Sequence, residues 1–144
     1  MKIAMRVVSF CHYLQGPACT QYLADMGADV IKIEPLKGAF ERHWSGAKSY
    51  VEGVSAFLLA ANRNKRSLAV DLKNPEGREI VLRLIDKADA VVENFRPGVL
   101  DRLGLGFEAV RARKPDIIYA SASGLGASGP AASRPGQDLS LIHI

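Results

Sequence analysis

The sequence is poor in the residues that most often announce a chemistry. It holds two cysteines, three histidines and one tryptophan among 144 residues. Cys11 and Cys19 form neither a C-x-x-C pair nor a disulfide framework, so they read as reduced thiols of a cytoplasmic protein. His12, His43 and His143 have no ligand spacing to one another or to cysteine, which gives no reason to expect a metal. No apolar run approaches the roughly 20 residues that cross a bilayer. The N-terminal MKIAMRVVSF lacks the apolar core and cleavage site of a signal peptide. Aromatics make up only 7% of the chain, and none interleaves the basic clusters Arg63-Asn64-Lys65-Arg66 and Arg111-Ala112-Arg113-Lys114. Those clusters read as solvated faces, and neither nucleic acid nor membrane is an expected partner.

Signature motifs are missing as well. The turn after the first apolar run, Cys11 to Pro17, has one glycine where a dinucleotide site needs G-x-G-x-x-G, although the acidic Glu34 follows the second run. There is no G-x-S-x-G elbow, and the glycine-rich stretch 123–138 lacks the G-K-[ST] ending of a P-loop.

What remains is regular. The length allows one domain, and 48% hydrophobic with 24% charged residues is ordinary for a globular chain. Strands are predicted at Arg6–Phe10, Val30–Ile33, Ser67–Val70, Ala90–Val92 and Ile117–Ala120. A helix is predicted over 19–26, with Cys19, Tyr22, Leu23 and Met26 as its apolar face and Gly27 as its stop. A second begins at the N-cap Asn74, with Pro75 in its first turn and Ile80, Val81, Leu84, Ile85 and Ala88 facing inward. Alternation of this kind predicts an α/β domain, a Rossmann-like parallel sheet with flanking helices. Residues 35–52 and 123–138 read as long loops. The stretch ENFRPGVLDRLGLG (93–106) places Asn94, Phe95, Arg96 and a short helix carrying Arg102 just past a strand, where open α/β sheets bind ligands. With a net charge of +4, a phosphate-bearing small molecule fits that edge.

Four segments taken together, GPACTQYLADMGADVIKIE (16–34), NRNKRSLAVDLKNPEGRE (62–79), VVENFRPGVLDRLGLG (91–106) and SGLGASGPAASRPGQD (123–138), resemble the family III CoA-transferases, which also include α-methylacyl-CoA racemases. The resemblance implies that residues 1–138 are the N-terminal part of the large domain of a longer, interlocked homodimer. The tail LSLIHI (139–144) departs from the family and is set aside. CoA or acyl-CoA is implied as substrate, with a carboxylic acid as acceptor and no prosthetic group. Implied CoA-site residues are Gln15, Val70, Asp71, Leu72, Lys73, Asn94, Phe95, Arg96, Arg102, Arg134 and Gln137. Pro35 stands where many members carry a basic residue, with Lys37 as a neighbouring substitute. Gln15 falls one place after the family's active-site glutamine, whose aligned position is Leu14. His12 with GPACTQ looks like the formate/oxalate subgroup. The racemase branch needs a His before the Asp of a G-H-D motif, but the chain reads Gly136-Gln137-Asp138, and glutamine cannot shuttle that proton. CoA transfer is therefore favoured over two alternatives, an acyl-CoA racemase and a non-catalytic CoA- or nucleotide-binding domain. The family's nucleophilic aspartate corresponds to a position beyond Ile144, not to Asp138, so no catalytic residue is expected within these 144 residues.

Overall fold

The structure, a computed structural model, describes residues 4–46, 48–134 and 136. In chain order the elements are β1 (Arg6–Phe10), α1 (Gln15–Asp25), β2 (Asp29–Glu34), a 3-10 turn (Phe40–Arg42), the short hairpin β3 (Tyr50–Val51) and β4 (Val54–Ser55), α2 (Ala56–Asn62), β5 (Arg66–Ala69), α3 (Pro75–Ile85), β6 (Ala90–Glu93), α4 (Val99–Arg102), α5 (Phe107–Arg113) and β7 (Ile118–Ser121). Five strands form one parallel sheet in the order β5-β2-β1-β6-β7. The first strand thus lies at the centre and the chain winds outward from it in both directions, as in doubly wound folds. The expected α/β parallel sheet with flanking helices is what forms.

Period-two alternation divides the sheet between two cores. Val8, Phe10, Ile31, Ile33 and Val91 pack against Val81 and Ile85 of α3, Leu100 of α4 and Val110 of α5. Val7, Cys11, Val30, Ala90 and Val92 pack on the other face, toward Ala24 of α1. The predicted strands are met within a residue or two at their ends.

Helix α3 is the element the sequence signals best. The Asn74 side chain accepts a hydrogen bond from the Glu76 N–H at 2.9 Å, Pro75 opens the helix, and Val81 and Ile85 are fully buried. Ala88 is buried just past its end, whereas Ile80 is half-exposed. Helix α1 corrects its expectation. It starts at Gln15 rather than Cys19, and its inward face is Gly16, Pro17, Thr20, Gln21 and Ala24. Cys19 is exposed, and so are Tyr22 and Met26, at 66% and 48%. The reason is close approach: a Cβ on Gly16 would lie 2.6 Å from the Cys11 Sγ, so small residues must face the sheet. Gly27 ends the helix as expected, with φ at +100°. Helices α2 and α5, each about two turns long, have too few residues to show a period and went unpredicted.

Candidate functional site

Strand order reverses between β1 and β6, so the crevice at their C-terminal ends is the switch point at which such sheets take ligands. Two strand exits meet there. The Asn94 amide spans them, its Oδ1 accepting from the His12 N–H and its Nδ2 donating to the His12 carbonyl, both at 2.8 Å. Asn94 thereby joins β6 to β1, and both ends of its side chain are occupied. The Phe95 N–H donates to the Glu93 Oε2 at 2.8 Å, and the Glu93 Oε1 accepts from Ser121 of β7. The Phe95 ring meets the His12 ring edge to face at 5.0 Å. Arg96 and Arg102 follow, both exposed, and neither guanidinium holds a carboxylate among the described residues.

The β5 exit lies on the same edge. The Val70 N–H donates to the Glu34 carbonyl, and Val70 and Leu72 pack into the core. The Lys73 N–H donates to the Asp71 Oδ1 at 2.9 Å, while Arg78 donates to the carbonyls of Leu72 and Lys73. These bonds close the turn and leave Lys73 exposed. Two strands stand between this turn and Asn94, a separation of about 14 Å at about 4.8 Å per strand, which suits an extended ligand. Gln15 is exposed in the first turn of α1 beside the β1 exit, and Arg134 is exposed in the loop after β7. Pro35 and Lys37 are exposed after β2. Gln137, Asp138 and the tail lie outside the described residues.

Beneath this edge is a buried ionic network that sequence reading missed. Glu34, 2% exposed, takes Arg42 through two bonds of 2.6 and 2.7 Å, the Ser67 hydroxyl and the Ala39 N–H. Burial alone would push its carboxyl up, but those donors outweigh it and hold the pKa down at about 2. Lys32, 3% exposed, donates to the Cys11 carbonyl at 2.5 Å, and its burial lowers the ammonium pKa. Glu41, 2% exposed, accepts from the Tyr13 N–H at 2.5 Å and lies 3.2 Å from the His12 Nδ1. Burial works against its charge, yet His12 and the Tyr13 N–H keep its carboxyl below the usual range. The one available signal was Lys32 itself, a charge inside a strand buried on both faces. Glu41 and Arg42 sit in an aperiodic loop and gave none.

The basic cluster 63–66 is not simply solvated. Arg63 pairs with Asp25 and Arg66 with Asp29. Lys65 donates to the carbonyls of Pro17 and Ala61 and to the Asn62 Oδ1, and burial lowers its pKa to about 8. In the second cluster, Arg113 bridges Glu79 and Asp86 of the preceding helix region. Burial pushes the Cys11 thiol up to about 11, which makes it a packing residue rather than a nucleophile. Among the described residues no helix is long and apolar enough to cross a membrane.

Comparison with known proteins gives the family and the fold. The model of CoA-transferase family III matches residues 4–143. An acyl-CoA transferase of Fusarium pseudograminearum is 47% identical over 153 residues, covering 97% of this chain and 34% of that protein. A formyl-CoA:oxalate CoA-transferase of a Bradyrhizobium species is 46% identical over 124 residues, covering 85% and 28%. Among solved structures, an aspartate-to-alanine mutant of Rv3272 from Mycobacterium tuberculosis matches with a TM-score of 0.89 at 40% identity, covering 99% of this chain and 38% of that one. The chain spans about a third of the length of the proteins it matches.

Proposed function

The chain belongs to CoA-transferase family III, and on that footing we propose that the whole protein moves CoA between an acyl-CoA and a carboxylic acid. One observation carries the assignment of the CoA edge. Among the described residues Arg6, Arg42, Arg63, Arg66, Arg83 and Arg113 each hold a carboxylate, Arg78 holds two backbone carbonyls and Arg111 lies over the Phe107 ring, whereas Arg96 and Arg102, at the switch-point edge, hold no carboxylate. CoA carries a pyrophosphate and a 3′-phosphate, the partners that unengaged guanidiniums suit best. Arg102 and Arg96 would take phosphate on the β6 side and Lys73 on the β5 side. The backbone of Val70–Leu72 and Asn94–Phe95 would line the nucleotide and pantetheine, with Gln15 and Arg134 as further contacts.

In this reading an aspartate beyond residue 144 attacks the thioester carbonyl and expels CoA thiolate, leaving a mixed anhydride. The thiolate attacks the aspartyl carbonyl, releases the first acid and gives an aspartyl-CoA thioester. The acceptor carboxylate attacks that thioester, and the returning thiolate forms the new acyl-CoA and frees the aspartate. That a relative was solved with an aspartate replaced by alanine supports the choice of residue type. Gln137 in place of a histidine weighs against the racemase alternative. The whole protein is taken to act as a homodimer in the cytoplasm, and the 144 residues alone to lack turnover.

The test pairs acyl exchange by the whole protein, followed by mass spectrometry against a panel of carboxylic acids, with CoA titration calorimetry. Arg102→Ala is expected to weaken CoA by about 1–3 kcal/mol. Arg83→Ala, which removes a guanidinium on the exposed face of α3, is expected to leave CoA affinity unchanged. Equal affinities in the two variants would remove Arg102 from the site.

A further inference from the structure

The turn from β1 into α1 is held by residues far away in sequence. Phe10 ends the strand and Gln15 opens the helix, so four residues must reverse the chain. Tyr13 takes φ of +60°, a region non-glycine residues seldom occupy, and Leu14 caps the helix without a side-chain bond. A conformation of that kind persists only where its surroundings over-determine it. Three side chains do so here. Lys32 holds the Cys11 carbonyl, Asn94 holds both polar groups of the His12 backbone, and Glu41 holds the Tyr13 N–H.

Glu41 does more than the other two. Its carboxylate also faces the His12 ring, with Oε1 at 3.2 Å and Oε2 at 3.4 Å from Nδ1. An ionised carboxylate can only accept, so Nδ1 must carry the proton. In neutral imidazole that leaves Nε2 with its lone pair, and Nε2 has no partner among the described residues. The His12 side chain is 21% exposed, and its edge contact with Phe95 carries the constraint on to the β6 exit. One buried carboxylate from the 35–49 loop thus fixes the backbone on one side of the crevice and a ring stack across it.

We propose that Glu41 is a positioning residue for acyl transfer, setting the β1–α1 turn and the tautomer and orientation of His12 so that both sides of the crevice present one fixed geometry to the acyl group. The proposal rests on the reading that this edge carries acyl transfer. It touches none of the cations assigned to CoA phosphate, so it separates placement of the reacting end from binding of the nucleotide.

The experiment compares Glu41→Gln, which keeps shape and one acceptor oxygen, with Glu41→Met, which keeps neither. Imidazole 15N spectra of the folded protein report the His12 tautomer whether or not it turns over. The unsubstituted protein is expected to show Nδ1–H; Glu41→Gln should move the populations toward Nε2–H, and Glu41→Met further. In acyl exchange, Glu41→Gln should lower kcat/KM by about 10–100-fold, the range a displacement of about 1 Å in a reacting group produces, with CoA affinity held within twofold. In a His12→Gln background the same change should add little. An unchanged tautomer with unchanged kcat/KM overturns the proposal. So does a lower melting temperature with the tautomer and kcat/KM intact, since that marks a residue that only stabilises. If the unsubstituted protein exchanges no CoA, the functional reading fails, while the tautomer still decides whether Glu41 positions His12.

Discussion

Glu34 and Asn94 each join segments of chain that are distant in sequence, by different physics. Glu34 acts through charge. A carboxyl held at about 2, against an ordinary 4.5, contributes stability that is complete above pH 4.5 and fades as pH falls toward 2. Glu34→Gln is expected to flatten that part of the acid limb in thermal melts between pH 2 and 5. A variant whose acid limb keeps the original slope would show that the carboxylate is not what the limb reports. Asn94 acts through shape, since both ends of its amide meet the His12 backbone. Asn94→Ala orphans a half-buried N–H and a carbonyl, and is expected to cost about 1–3 kcal/mol in urea unfolding. The sequence pointed to this strand edge, because Asn94, Arg96 and Arg102 come soon after an apolar run, and the structure brings them to the C-terminal end of β6. It did not show that Asn94 is a tie, nor that Glu41 and Arg42 reach inward, because their partners at His12 and Glu34 come from other elements. Pairing of that kind is a property of three-dimensional proximity and leaves no local pattern.

Among the elements, α3 and α1 mark the limits of pattern reading. In α3 the cap, the proline and the apolar stripe agree, and the helix forms as predicted. Ile85→Ala should cost about 2–5 kcal/mol by opening a cavity under the sheet, and Asn74→Ala about 1 kcal/mol through the lost cap. Chemical denaturation would measure both, and a reversed ranking would mean that the core around Ile85 can collapse onto the gap. In α1 the apolar spacing is real, but only Leu23 packs toward the sheet, while Cys19, Tyr22 and Met26 lie on the outer face. Periodicity reveals that a helix has a stripe, not which surface the stripe meets, and the glycine and proline of Gly16-Pro17 were the better clue to contact with the sheet. Strands were legible because all five have apolar residues on both faces or nearly so, whereas α2 and α5 are too short to repeat.

For the molecule as a whole, the outward face of α1 and the outer edge of β7 have no partner among the described residues. Tyr22, Met26 and, on β7, Ile118 are each about half-exposed or more, a pattern that suits burial against further polypeptide. The isolated 144 residues should therefore associate with rising concentration, as read by sedimentation velocity. Tyr22→Ser with Met26→Ser should shift them toward monomer if α1 is the contact. The Asn94 tie to His12 has a consequence in time. It spans 82 positions of chain, and the β1–β6 ladder beneath it pairs residues just as far apart, from Val7 with Ala90 to Phe10 with Glu93. The β1–β6 edge cannot exist until the sixth strand has been made and has travelled back to the first, so its folding is governed by long-range loop closure. A nascent chain would complete its first helix and second strand well before the switch point between β1 and β6 had formed.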